Sequence, residues 1–127
     1  MDPLWKVEHF HIDPSRPLYE QFVDQIRSYI ARGMLAPATR LPSVRDLAQA
    51  LRVNPTTIMR TYQELDREKL IVTHRGLGTF VTDNLEIIEA SKRTIAIAAV
   101  QKLREIAESL GLTIHEMIAL SEKKEET

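Results

Sequence analysis

Apolar positions recur every three or four residues over most of this chain, and the interruptions define its elements. Leu18, Phe22, Ile26 and Ile30 stand four apart, which predicts a first helix with Pro17 at its N1 position and Gly33 as its stop. Pro42 halts the next stretch, and Ser43-Val44-Arg45-Asp46 predicts a capping box. That box opens a short second helix turning Val44, Leu47, Ala48 and Leu51 inward. Asn54-Pro55 predicts the cap and first turn of a third helix, apolar at Ile58, Tyr62 and Leu65 and running to about Lys69. Only Arg52 and Val53 separate the last two helices, a helix-turn-helix spacing.

The apolar period then shortens. Leu70-Ile71-Val72-Thr73 and Thr79-Phe80-Val81-Thr82 are β-branched or aromatic runs either side of His74-Arg75-Gly76-Leu77-Gly78, which predicts a β-hairpin. Three helices followed by a hairpin make a winged helix-turn-helix. Beyond Asp83 the only Gly or Pro is Gly111, so residues 84–127 are predicted as a helical hairpin. Asp83 or Asn84 caps a long helix striped by Leu85, Ile88, Ile95, Ala99, Leu103, Ile106 and Leu110 and widened by Ala96, Ala98, Val100 and Ala107. Gly111 ends it as a C′ residue, and Thr113-Ile114-His115-Glu116 is a second capping box, leading into Ile114, Met117, Ile118 and Leu120. Residues 122–127 are expected to fray.

The fold expected is therefore mainly α with a small β-hairpin. Residues 1–83 form a winged helix-turn-helix DNA-binding domain and residues 84–127 a two-helix dimerisation arm. An apolar face that wide exceeds what two helices bury between themselves, so a second copy is its natural cover. The residues assigned to that contact are Ile88, Ile95, Ala99, Leu103, Ile106, Leu110, Met117 and Ile118. Folding back onto the N-terminal domain is the alternative.

Composition narrows the chemistry. A chain of 127 residues holds one domain with an appendage, and the absence of Cys excludes disulfides, thiolate metal sites and cysteine nucleophiles. The longest apolar run, Ile95–Val100, falls well short of the roughly 18–20 residues of a membrane span, and Met1–Lys6 does not resemble a secretion signal, so a cytoplasmic protein is expected. The formal net charge of −1 advertises no polyanionic partner. Locally the balance differs: between residues 40 and 61, Arg40, Arg45, Arg52 and Arg60 face only Asp46.

That basic stretch borders the third helix, whose first half offers Asn54, Thr56, Thr57 and Arg60 opposite the apolar face. Short polar groups and a long cation there suit base edges and phosphates in a major groove, although a well-capped solvated helix would use the same residues. The Gly76-Leu77-Gly78 sequence lacks the third glycine and following helix of a dinucleotide loop. As a wing tip, Arg75 and Gly76 suit a sugar-phosphate surface, and a plain hairpin turn is the simpler alternative. His9 and His11 alternate as if on one side of a strand, too few for a metal site without a third ligand. No triad, paired-carboxylate or HExxH arrangement is present, so neither an enzyme nor a cofactor is expected.

The run Gly33-Met34-Leu35-Ala36-Pro37-Ala38-Thr39-Arg40-Leu41-Pro42-Ser43-Val44-Arg45-Asp46-Leu47-Ala48 is followed by Val53-Asn54-Pro55-Thr56-Thr57, Arg60-Thr61-Tyr62-Gln63-Glu64-Leu65 and Gly76-Leu77-Gly78-Thr79-Phe80-Val81. Over roughly residues 14–82 this resembles the DNA-binding domain of the GntR family of bacterial transcription regulators. The Asn-Pro and the short two-helix C-terminus look like its YtrA subfamily. The resemblance implies a homodimeric repressor on a palindromic double-stranded operator, with Ser43 and Arg45 at the start of the second helix, Asn54, Thr56, Thr57 and Arg60 on the third, and Arg75 and Gly76 in the wing touching DNA. Many members carry Arg where Pro55 stands, which shifts base reading to Asn54 or Arg60. YtrA-like regulators often govern genes for ABC-type transporters. Family members typically sense a small molecule in the C-terminal domain, and here such an effector would need a pocket between subunits. The competing class is a winged-helix interaction module docking a different protein through its C-terminal helices.

Overall fold

The computed structural model describes residues 3–123; of residues 122–127, expected to fray, Glu122 is still helical and 124–127 lie outside the described residues. Two compact units follow one another, divided between Glu89 and Ala90.

In the first unit, helix α1 spans Leu18–Ala31, α2 Val44–Leu51 and α3 Pro55–Arg67, and strands β1 (Ile71–His74) and β2 (Gly78–Val81) pair antiparallel. Phe22, Ile26, Leu47, Ile58, Leu65, Leu70, Ile71 and Val81 are its fully buried centre, which draws on every one of these elements. The predicted apolar faces are therefore the packed ones, with Leu18 and Val44 half-buried at the edge. The Ser43 hydroxyl accepts from the Asp46 backbone N–H at 3.1 Å, and the Asn54 carboxamide accepts from that of Thr56 at 2.8 Å, satisfying donors that helix starts leave open.

Pro17 sits one position earlier than expected. Its ψ of 136° makes it the N-cap of α1 and leaves Leu18 as the first helical residue. The approach to α1 is held by a reciprocal amide clamp, in which the Asp13 N–H donates to Gln21 Oε1 and Gln21 Nε2 to the Asp13 carbonyl, both at 2.7 Å. Hydrogen bonds from the Ser15 side chain and backbone hold the Asp13 carboxyl below its ordinary range.

The segment around His9 and His11 is not a strand. Val7–His9 is a 3-10 turn. Trp5 packs edge-on to Tyr29 with ring centroids 6.1 Å apart, and Phe10 does so to Phe22 at 5.3 Å and Tyr29 at 6.5 Å. Trp5 and Phe10 are an odd number of residues apart, so an extended strand would point them to opposite faces; the turn brings both rings onto α1.

Helices α2 and α3 each close with a left-handed residue that is not glycine. After α2, Arg52 takes φ 57° while the Val53 N–H reaches the Ala48 carbonyl at 3.0 Å and the Arg52 N–H reaches that of Gln49 at 3.3 Å. After α3, Lys69 takes φ 63° with the matching bonds from Leu70 to Leu65 and from Lys69 to Asp66. Both are Schellman closures. The second fixes where β1 begins: Leu70 completes the helix cap, so the strand starts at Ile71, one residue later than expected. The pair His74↔Gly78 then leaves Arg75-Gly76-Leu77 as the loop.

A third backbone segment completes the sheet. The Leu41 N–H donates to the Thr79 carbonyl at 2.8 Å, that of Val81 to Thr39 at 2.8 Å and that of Ala38 to Val81 at 3.1 Å, so residues 38–41 line the free edge of β2. At the end of this segment the Pro42 carbonyl accepts the Tyr62 hydroxyl of α3 at 2.7 Å. Among the described residues no buried side-chain nitrogen or oxygen lacks a partner.

Helix α4, Leu85–Ser109, begins with the Asn84 carboxamide accepting from the Glu86 N–H at 3.0 Å. Its first turn belongs to the first unit, where Ile88 is buried in the core. Ile88 was assigned to the dimer contact because it shares the helical stripe; burial by its own domain commits it instead to the monomer's core. In the second unit, Gly111 (φ 69°) ends α4 with bonds from Leu112 to Ala107 and from Gly111 to Glu108, the third Schellman closure. Helix α5, Ile114–Glu122, starts with a complete capping box between Thr113 and Glu116, both bonds at 3.0 Å. Ala107 is buried, Leu103 and Met117 are half-buried, and Ile95, Ile97, Val100, Ile106, Leu110, Ile118 and Leu120 are exposed. Among the described residues no helix is long and apolar enough to cross a membrane.

Burial pushes the Tyr62 phenol above its ordinary value near 10. A raised folded-state pKa stabilises fully below the unfolded value, and the contribution is lost as pH climbs past it. Tyr62→Phe is expected to cost about 1 kcal/mol at pH 7, since the Pro42 carbonyl loses its donor. Urea unfolding followed by the fluorescence of Trp5, the sole tryptophan, measures this. Above pH 10 the wild-type chain should lose stability faster than the Phe variant.

Candidate nucleic-acid interface

Residues Ile58, Thr61, Tyr62 and Leu65 face the core, so the opposite side of α3 carries Thr56, Arg60, Gln63 and Arg67, all exposed. Asn54 is exposed beside them and Thr57 is half-buried on the flank, with its carbonyl accepting the Thr61 hydroxyl at 2.8 Å. No acidic residue lies in the first turn of α3, so nothing opposes the positive end of its dipole. Gln63 was missed in the sequence, although it continues the i, i+4, i+7 series from Thr56 through Arg60.

Apart from Arg32, which lies over the Tyr29 ring, the arginines of the first unit fall into two groups. Arg16, Arg27 and Arg67 are spent on carboxylates. Arg27 grips both Glu68 oxygens, at 3.0 and 2.6 Å, and reaches Asp24 at 3.1 Å; Arg16 bonds Asp24 at 2.9 Å; Arg67 bonds Glu64. The Arg67 bond holds the Glu64 carboxyl below its ordinary range. In contrast, Arg40, Arg45, Arg52, Arg60 and Arg75 are exposed and make no salt bridge among the described residues. Four of these five are the cluster seen in the sequence, and the fifth is in the wing.

Each has a defined seat. Ser43 and Arg45 occupy the cap and second residue of α2, Arg52 the turn into α3, and Arg75 and Gly76 the hairpin tip, where the Leu77 N–H closes onto the His74 carbonyl at 2.9 Å. Arg40 lies over the wing base: a Cβ added to Gly78 would stand 2.9 Å from its Nε. Gly78 itself holds φ 121°, a conformation side chains resist. The sequence reading placed Gly78 in the loop without its packing role, because its contact with Arg40 lies 38 positions away along the chain. The paired hydroxyls of Thr73 and Thr79, 3.3 Å apart, and the His74 and Phe80 rings, 5.4 Å apart, brace the two strands.

This arrangement is that of a winged helix-turn-helix reader, and residues 18–81 match the family model for bacterial regulatory proteins of the gntR family. The chain belongs to the GntR family. It is 39% identical over 104 residues to the HTH-type transcriptional regulator YhcF of Bacillus subtilis, covering 82% of this chain and 86% of that one. It is 36% identical over 106 residues to the HTH-type transcriptional repressor YtrA of the same organism, covering 82% and 77%. A GntR family transcriptional regulator from Listeria monocytogenes superposes with a TM-score of 0.82 at 37% identity, over 90% of this chain and all of that one. The DNA-binding domain of AraR, solved in complex with operator ORX1, superposes with a TM-score of 0.50 at 31% identity, over 53% and 81%. This GntR chain is accordingly a DNA-binding transcription regulator, a non-enzymatic class.

Gly78→Ala is expected to lower stability by about 1–3 kcal/mol, from backbone strain together with displacement of Arg40. Thermal unfolding of the purified variant checks it; an unchanged midpoint would mean that Arg40 simply swings aside and the backbone relaxes.

Proposed function

We propose that this GntR chain is a homodimeric repressor that seats one α3 helix in the major groove of each half of a palindromic operator. The observation that carries the reading is the outward face of α3, where Asn54, Thr56 and Arg60 are exposed on a capped helix whose first turn holds no acid. In that role Arg60 reads a base edge, with Asn54, Thr56 and Thr57 beside it. Ser43 and Arg45 meet backbone phosphates at the start of α2, while Arg75 and Gly76 let the wing approach the sugar-phosphate surface. The operator-bound AraR domain to which the chain is similar supports a duplex DNA partner, and the repressor YtrA supports the direction of control. The same resemblance extends the proposal to operators beside genes for ABC-type transporters, and a DNA partner places the protein in the cytoplasm.

The dimer contact is assigned to residues 84–127, chiefly Ile95, Ala99, Leu103, Ile106 and Leu110 of α4 with Met117 and Ile118 of α5. Several large apolar side chains there are open to solvent in the single chain: Ile95 is 43% exposed, Ile106 44%, Leu110 63% and Ile118 46%. Covering them is worth about 25 cal/mol per Å² of apolar surface removed from water. A dimer also gives the two α3 helices the spacing of roughly one DNA turn, about 34 Å, that a palindrome requires.

Duplexes selected by the wild-type chain from a randomised library supply the probe. Arg60→Ala should weaken binding to the selected duplex by about 1–3 kcal/mol and relax the preference at one position of each half-site. An equal loss on a scrambled duplex would assign Arg60 to phosphate instead. In sedimentation the wild-type chain should run at twice its 14.6 kDa mass, and the double variant Ile95→Asp with Ile106→Asp as a monomer with weaker operator binding. A monomeric wild-type chain would favour a docking module for a different protein.

A further inference from the structure

Arg60 has a partner on another helix. Its guanidinium carbon lies 3.9 Å from the centroid of the Tyr19 ring, in the first turn of α1, and its Nη2 donates to the Tyr19 hydroxyl oxygen at 3.2 Å. One aromatic side chain thus holds the cation through both its ring and its hydroxyl. Tyr19 is half-buried, so its ring is a fixed support, while Arg60 remains exposed.

The carboxylates around this pair sharpen its meaning. Glu64 follows Arg60 by one helical turn, where an ion pair is ordinarily made, yet it bonds Arg67. Glu68 is held by Arg27, and Asp24 by Arg16 and Arg27. Those three acids each bond another arginine, and although Glu64 still acts on Arg60 through space, the direct contact of Arg60 is with a neutral ring. An arginine paired to a carboxylate must give up that pair before it meets a guanine edge or a phosphate. One resting on tyrosine has no carboxylate to give up and spends one of its five N–H donors. Cation–aromatic contact also tolerates added DNA contacts at the remaining edge, because face and edge of the guanidinium are separate surfaces.

We propose that Tyr19 is the positioning residue for Arg60: its ring and hydroxyl hold the guanidinium in the orientation in which α3 presents it to the operator. The inference rests on the base-reading role given to Arg60 above. It makes α1, a helix otherwise occupied with the core, a determinant of sequence preference without itself touching a base.

A double-mutant cycle on the full-length chain tests it, using the library-selected duplex and its scrambled counterpart. Tyr19→Leu removes ring and hydroxyl and should weaken the selected complex about tenfold while leaving the scrambled one nearly unchanged. Tyr19→Phe keeps the ring and should lose about threefold, so it carries the test even if the Leu variant folds poorly. In an Arg60→Ala background both Tyr19 substitutions should have no further effect. If they weaken binding equally in both backgrounds, or not at all in wild type, the positioning role is overturned while base reading by Arg60 stands. If Arg60→Ala leaves the selected complex unchanged, base reading falls and the positioning role falls with it.

Discussion

Backbone pairing along the edge of β2 is the constraint on which the reading half of the molecule depends. Residues 38–41 meet β2 through three main-chain hydrogen bonds, and the next carbonyl, that of Pro42, takes the buried hydroxyl of Tyr62. One short stretch of chain therefore ties the wing, the start of α2 and the middle of α3. Main-chain groups left unpaired in such a place would each cost free energy comparable to a lost hydrogen bond, so the segment has one low-energy path. Ser43 caps α2 at the end of that path, with Arg40 within it and Arg45 in the first turn of α2 just beyond. Arg40 and Arg45 are thus seated by the backbone path, whereas Arg60 has a side-chain support of its own.

The elements built on local rules were legible in the sequence. Apolar spacing at Phe22, Ile26 and Ile30, the caps at Ser43, Asn54 and Thr113 and the stop at Gly111 each depend on residues within one turn of one another, and each is where the pattern put it. What escaped was non-local or coded by atypical residues. Nothing in Lys69 announces a left-handed backbone, so the first strand was placed one residue early, while the second, expected from Thr79, already begins at Gly78. Trp5 and Phe10 were not seen as neighbours because α1 joins them from outside their own segment. Ile88 fitted the helical stripe, and only the tertiary structure shows which side of the division at Glu89 claims it.

The candidate site divides in the same way. Residue types on α3 and in the wing could be listed from spacing alone, since a helix face and a loop tip are local objects. Their availability could not. Whether an arginine is spent depends on which carboxylates the fold brings to it: Arg27 and Arg67 are occupied near the end of α3, whereas Arg60, two turns earlier on that helix, lies on Tyr19. The near-zero net charge of the chain is thus a sum over cations already neutralised and cations held open, and the distinction arises from pairing across elements.

Arg52 gives the turn between α2 and α3 a mechanical character. A glycine would relieve the left-handed strain at φ 57°, but it would also widen the range of angles open to the joint and enlarge the entropy of the unfolded chain. An arginine accepts the strain and narrows the hinge, because few other backbone conformations satisfy both flanking helices and their shared cap. The joint that sets the angle of the recognition helix behaves as a stiff elbow, and that stiffness comes from a side chain that also contributes positive charge.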